Sequence, residues 1–220
     1  VFFKKSEKFK VYKFYIIDDD QNKIDRPKLM DFILFFFENN LQIPLDFDIG
    51  GPYGIRKGSS CGIQAFRNKL EKHGHDKYYA LSGVTENVVG FELLFNAVYN
   101  EHTYSELIIW YNPKDYDLTF EKVIRELICS CVMSYAYELE IEAGYDISTE
   151  TKIKKGILGG LSVKVSYEHL AWMDDYENGG YRDIFKNNFM NRAQLAKVQE
   201  INQSLKVKEI KGKYLVEIGA

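Results

Sequence analysis

Four groups of residues have the types and spacings from which chemistry could be built. His73-Gly74-His75-Asp76 has the spacing of half a hydrolase metal motif, in which imidazoles and a carboxylate share a divalent ion. The rest of such a ligand set is missing: His102 and His169 stand far off in sequence with no acids arranged around them. Gly50-Gly51-Pro52-Tyr53-Gly54-Ile55-Arg56-Lys57-Gly58 invites a phosphate test, but Lys57 precedes Gly58 and Ser59 follows it directly. That is the wrong order for a Walker loop, and what remains is either a looser anion nest with Arg56 and Lys57 or an ordinary connector. Glu150-Thr151-Lys152 and Glu209-Ile210-Lys211 are the E-x-K triplets of nuclease-type Mg²⁺ sites, with Asp146 just ahead of the first. Such triplets also arise by chance in a chain that is 28% charged. Cys61, in Ser59-Ser60-Cys61-Gly62, has a helix N-terminus that could lower its pKa but no assignable His or acid partner.

None of these completes a catalytic constellation. The reading at this level is a chain without catalytic residues, metal or cofactor; a metal- or phosphate-dependent hydrolase using His73, His75 and Asp76 or the 50–58 loop stands as the alternative. Phe35-Phe36-Phe37 and Tyr78-Tyr79 could stack bases, yet no basic stripe interleaves them, so they read as core.

The elements that must position any site follow from composition. The chain has 220 residues, a formal charge of −3, 45% hydrophobic and 15% aromatic residues, with 16 Tyr and 15 Phe. A chain of this length buries roughly 70% of its extended surface. Disorder is excluded by the apolar content, and the charge balance lacks the basic footprint of a dedicated nucleic-acid binder. The longest apolar stretches, 29–37 and 123–139, fall short of a membrane span or are broken by charges. The N-terminus shows no initiator Met and no signal-type apolar core, so it reads as trimmed or cut, without an export signal. Cys61, Cys129 and Cys131 form no paired framework, which favours a reducing, cytoplasmic setting, with Cys129 and Cys131 packed in or beside the core.

Residues 10–17 read as a strand. The apolar run 29–37 reads as a helix with Pro27 in its first turn, although a strand also fits its all-round apolarity. A helix capped by Ser59 or Ser60 runs to about Lys72 and ends at Gly74; strands follow at 77–81, 88–95 and 106–111. The most regular signal is Phe120, Val123, Ile124, Leu127, Ile128, Cys131, Tyr135 and Leu139, which predicts one long amphipathic helix over about 118–140. Segments 167–173 and 191–198 look helical, and 207–210 with 214–218 form a hairpin about Lys211-Gly212-Lys213. The sum is one α+β domain over residues 1–220, with an antiparallel or mixed sheet packed against that helix and others.

Charge is unevenly spread. Residues 115–150 hold nine acids against Lys122 and Arg125, a net −7, whereas residues 152–220 carry +4 and the first thirteen residues hold five lysines against Glu7. Either a solvated helix face or a surface that steers a basic partner explains the acidic sector.

The tail Tyr181-Arg182-Asp183-Ile184-Phe185-Lys186-Asn187-Asn188-Phe189-Met190-Asn191-Arg192-Ala193-Gln194-Leu195, followed by Lys211-Gly212-Lys213-Tyr214-Leu215-Val216, resembles the closing segment of immunity proteins from bacterial polymorphic toxin systems. The resemblance implies a small cytoplasmic protein that occludes a cognate toxin domain, and it carries no site residues with it. Contacts are therefore expected from residue type: Tyr137 and Trp172 as anchors, with Glu138, Glu140, Glu142, Asp174 and Asp175 setting specificity toward a basic toxin. A phage-derived or structural assembly component is a further alternative, for which a large exposed apolar patch would be the sign.

Overall fold

The aromatic and β-branched run Val11–Ile16 alternates between two apolar environments, and it becomes the middle strand of a sheet covered on both faces. The computed structural model describes residues 7–17, 25–40, 46–50, 62–75, 78, 80–84, 89–129, 133–142, 144–155, 161–163, 167–202 and 204–219. In chain order these form β1 (Lys8–Ile17), α1 (Arg26–Asn40), β2 (Asp46–Gly50), α2 (Ile63–His73), β3 (Ala80–Val84), β4 (Val89–Tyr99), β5 (His102–Tyr111) and α3 (Phe120–Leu127). There follow β6 (Tyr135–Glu142), β7 (Ile153–Lys155), β8 (Leu161–Val163), a 3-10 helix (Glu168–Asp175), β9 (Asn187–Met190), α4 (Arg192–Ile201), β10 (Leu205–Ile210) and β11 (Lys213–Ile218). The large sheet has the order β10-β11-β9-β6-β1-β5-β4-β3-β2, with antiparallel pairing throughout, while β7 and β8 pair apart from it. The protein is thus α+β, as expected.

One face of the sheet buries Tyr12, Phe14, Ile16, Phe91, Leu107, Ile109 and Ala136 in a single cluster with Leu29, Ile33 and Phe36 of α1, Phe66 and Leu70 of α2, and Val123, Ile124 and Leu127 of α3. The opposite face holds two apolar clusters. Phe9, Val11, Ile108, Trp110 and Ile141 form one, and Tyr15, Tyr104, Tyr135, Tyr137, Leu170, Trp172, Met173, Leu195 and Val198 form the other. In the first of these, Gly90 lies opposite Trp110, whose ring would come within 2.2 Å of any Cβ placed there.

The long helix expected over 118–140 is replaced by a helix and a strand. Thr119 accepts the backbone N–H of Lys122 and opens α3, but the chain leaves the helix after Leu127 and returns as β6. Helical spacing describes residues 120–127 well; from Tyr135 onward Tyr135, Tyr137, Leu139 and Ile141 share one face at period two, and strand pairing with β1 wins. Cys129, expected beside the core, is exposed just past α3, whereas Cys61 and Cys131 lie outside the described residues.

Other expectations hold with shifted ends. Pro27 sits in the first turn of α1, and α2 ends on Gly74 at φ 80°. α2 begins at Ile63, with Ser59 and Ser60 outside the described residues. α4 is capped by Asn191 and Gln194 in a reciprocal capping box. β10 and β11 turn through Lys211 and Gly212, both at positive φ, the geometry that a two-residue hairpin prefers.

Candidate functional site

Strand pairing places charged residues where the apolar pattern calls for hydrophobic ones. Glu92 of β4, Ile108 of β5, Lys13 of β1 and Tyr137 of β6 stand side by side across the sheet, with Glu106 and Tyr15 paired one step along. Lys13 is fully buried. Its ammonium donates to the Ser148 carbonyl at 2.7 Å and lies 3.0 Å from the Glu150 carboxylate and 3.9 Å from Glu106. The Tyr137 hydroxyl donates to Glu150 at 2.7 Å, Arg182 approaches it at 3.6 Å, and the Ser148 hydroxyl donates to Glu92. Segment 144–155 is thereby tied to the sheet by Ser148 and Glu150.

The three carboxylates respond differently to burial. Desolvation pushes Glu92 and Glu106 above the usual carboxylate range, and the Ser148 hydroxyl on Glu92 and the Lys13 charge on Glu106 offset it only in part. Burial raises Glu150 too, but Lys13, the Tyr137 hydroxyl and Arg182 together outweigh it and hold its pKa low. The phenols of Tyr15 and Tyr137 are pushed up, first by burial and then by the nearby Glu106 and Glu150.

One oxygen of Glu106 is buried without a hydrogen bond among the described residues. An acid raised above its unfolded pKa favours folding when protonated, and that favour is lost as pH rises through its folded value. Glu106→Gln is therefore expected to stabilise the protein by about 1 kcal/mol near pH 8, roughly 2–4 °C in Tm, and by much less at pH 4.5. Glu150→Gln should do the reverse: it removes stability that exists above the unfolded carboxylate pKa and fades as pH falls. Thermal melts of both variants across pH 4.5–8 check the two signs, and an equal shift at both ends for Glu106→Gln would contradict the assignment.

This closed network gathers residues that the sequence pattern separates. Glu150 pairs with Lys13 and not with Lys152, which is exposed. Asp146 accepts from the backbone N–H and hydroxyl of Thr149 and braces the local turn. Lys211, of the second triplet, donates to the Ile128 carbonyl. His73 ends α2 and His75 follows Gly74, while Asp76 and residues 51–58 of the glycine loop lie outside the described residues. Among the described residues no three His, Cys, Asp or Glu side chains are grouped to hold a metal ion.

The expected contact residues divide by burial. Tyr137 and Trp172 are interior: Tyr137 stacks on Phe185 with ring centroids 4.4 Å apart, and Trp172 packs on Tyr135 at 4.7 Å and Tyr15 at 5.3 Å. Glu138 is buried as well; it lies 3.2 Å from Lys10 and accepts from the Asn187 amide. The acidic sector is answered in part by the basic N-terminal strand, since β1 runs antiparallel to β6 and sets Lys8 and Lys10 beside Glu140, Glu142 and Glu138. Glu140 and Glu142 remain exposed at the far end of β6.

Asp174 and Asp175 are at the surface, 48% and 53% exposed, at the end of the 3-10 helix that Trp172 anchors. Asp175 is paired with Lys197 at 3.1 Å, which with the Asn178 hydrogen bond holds its pKa low. Asp174 lines a cleft of about 480 Å³ at one end of the sheet, together with Ile17, His102, Tyr176, Glu177 and Lys213 among others. The Gly179-Gly180 turn closes this segment against α4. A Cβ on Gly180 would meet the Trp172 carbonyl at 2.5 Å, and the Gly180 carbonyl accepts from the Gln194 amide. No described helix is long and apolar enough to cross a membrane.

No protein-family model matches the chain, and no curated protein matches its sequence. Among solved structures its fold is similar to that of "Pseudomonas aeruginosa T6SS protein PA0821", with a TM-score of 0.62 over 96% of this chain and 68% of the other at 8% identity, a likeness of fold alone.

Proposed function

We propose that this chain is a non-enzymatic cytoplasmic binding protein that neutralises a cognate bacterial toxin by covering it. The observation that carries the reading is the open cleft beside the 3-10 helix: among the described residues, its carboxylates Asp174 and Glu177 have no Lys or Arg within ion-pair distance. Exposed carboxylates without a Lys or Arg partner attract a basic partner and set its orientation. The buried Lys13, Glu106 and Glu150, by contrast, are tied to one another and to segment 144–155, where they hold the fold. That the structural neighbour is a T6SS protein, and that the 181–216 tail resembles immunity proteins, support the toxin context.

Of the expected contact residues, Tyr137, Glu138 and Trp172 are interior, and the proposed partner surface is the end face that bears the expected Asp174 and Asp175 together with Glu177. Co-expression tests the function. The toxin domain encoded beside this gene should arrest growth when produced alone and should be silenced, and co-purify, when this chain is produced with it. Continued arrest despite soluble chain would reject the proposal.

A further inference from the structure

We infer that the 480 Å³ cleft is a socket for one arginine side chain presented by a protein partner, with Asp174 and Glu177 as its carboxylates and Tyr176 as its aromatic wall. The inference rests on the partner-binding reading above and names the group that the site recognises.

The first argument is the sign of the charge. Both oxygens of Asp174 are positioned by the Asn100 amide, at 2.9 and 3.1 Å, and His102 lies 3.5 Å away. The carboxylate is fixed in place yet half exposed, so it meets a ligand without first losing side-chain freedom. Its neighbour on the chain, Asp175, is already neutralised by Lys197. The cation in the cleft, Lys213, is committed to the protein: it donates to the Ser134 carbonyl at 3.1 Å and to the Tyr176 hydroxyl at 3.0 Å. Asp174 is held by Asn100 and His102 yet keeps lone pairs on both oxygens, Glu177 has no Lys or Arg within ion-pair distance among the described residues, and Lys213 is engaged within the protein, which favours a cation over an anion.

The second argument is shape. A cleft of this volume falls in the range that accepts a whole ligand group and not only an ion. Arginine suits it better than lysine, because a planar fork of donors can span two lone pairs of one carboxylate and still reach a second acceptor such as Glu177 or the Asn178 amide oxygen. Its flat face also stacks on an aromatic ring. The Lys213 ammonium lies over the Tyr176 ring, 5.8 Å from its centroid, so the arginine must stack clear of it, on the part of the ring that faces the cleft.

The test uses the full chain and blocked tripeptides. Titration with acetyl-Gly-Arg-Gly-amide at pH 7.5, followed by ¹H–¹⁵N correlation spectra, should give saturable shifts at the amides of Asn178, Asn191 and Lys213, with a Kd on the order of 1 mM. The lysine tripeptide should bind at least about threefold more weakly and the glutamate tripeptide not at all. Asp174→Asn with Glu177→Gln should weaken arginine binding about tenfold or more while the rest of the spectrum superposes on the wild type. Should the double variant fail to fold, Glu177→Gln alone must still weaken binding. Absence of saturable shifts, unchanged binding by the variants, or preference for the glutamate peptide would overturn the socket. Loss of the socket with growth rescue intact would leave the neutralising function standing on another face; arginine binding without rescue would retain the socket and reject that function.

Discussion

Replacing Lys13 by Met is expected to cost about 3–5 kcal/mol of folding stability, because it leaves buried carboxylates without the cation they were built around. The side chain has no solvent exposure, and its ammonium faces Glu150, Glu106 and the Ser148 carbonyl at once. Without it, Glu150 keeps Arg182 at 3.6 Å and the Tyr137 hydroxyl, while Glu106 loses the one cation within ion-pair distance of it among the described residues. Met fills nearly the same volume, so the loss reports charge and hydrogen bonding more than a cavity. For a chain of this size the drop in Tm should be on the order of 10 °C. Urea unfolding of Lys13→Met, Glu150→Gln and the double variant isolates the pair. The double variant should recover part of the loss, since removing both members of a buried pair costs less than stranding one. A single-variant loss below about 1 kcal/mol would show that water reaches the cluster and screens it.

Why this network escaped the sequence is a matter of period. Phe9, Val11, Lys13, Tyr15 and Ile17 occupy one side of β1, and the lysine in that stripe is the sign of a buried charge. Glu106 interrupts Tyr104, Ile108 and Trp110 in the same way, and Glu92 follows Gly90 and precedes Leu94. Alternation marks Lys13 and Glu106 as charges within apolar stripes, whereas Glu92 lies in a stripe of Gly90, Leu94 and Asn96 that carries no such mark, and only the strand register brings the three together. Charge was legible only as segregation along the chain. The acidic sector and the lysine-rich N-terminus include two strands that pair, β6 and β1, so part of the sequence contrast that suggested a partner surface is satisfied within the protein. The terminal elements were readable because their signals are local: the Asn191 cap, the Lys211-Gly212 turn and the Gly179-Gly180 turn each act over a few residues. The α3–β6 break was not, since Leu127, Cys131, Tyr135 and Leu139 satisfy a helical spacing that tertiary pairing overrides.

Trp172→Ala is expected to destabilise the protein by about 3–5 kcal/mol, the cost of emptying a large aromatic site. Its ring meets Tyr15, Tyr135 and Tyr176, and with Leu170 and Met173 it joins the 3-10 helix to the sheet. The backbone around it has little slack. The Trp172 carbonyl crowds Gly180, and the Gly180 N–H bonds to the Asp175 carbonyl at 2.7 Å. A cavity beneath this element would therefore displace Asp174, Tyr176 and Glu177 together and loosen the cleft. Trp172→Phe should cost far less, because it keeps a ring in place and deletes an indole N–H that is buried without a partner among the described residues. The pair of variants separates an interior anchor from a contact anchor. An interior role predicts that Trp172→Phe keeps near-native stability and partner affinity, whereas Trp172→Ala loses both. Chemical unfolding alongside calorimetric titration of the partner measures the two quantities. A Trp172→Ala protein of native stability with weakened partner binding would reverse the assignment and return Trp172 to the surface role that its residue type suggested.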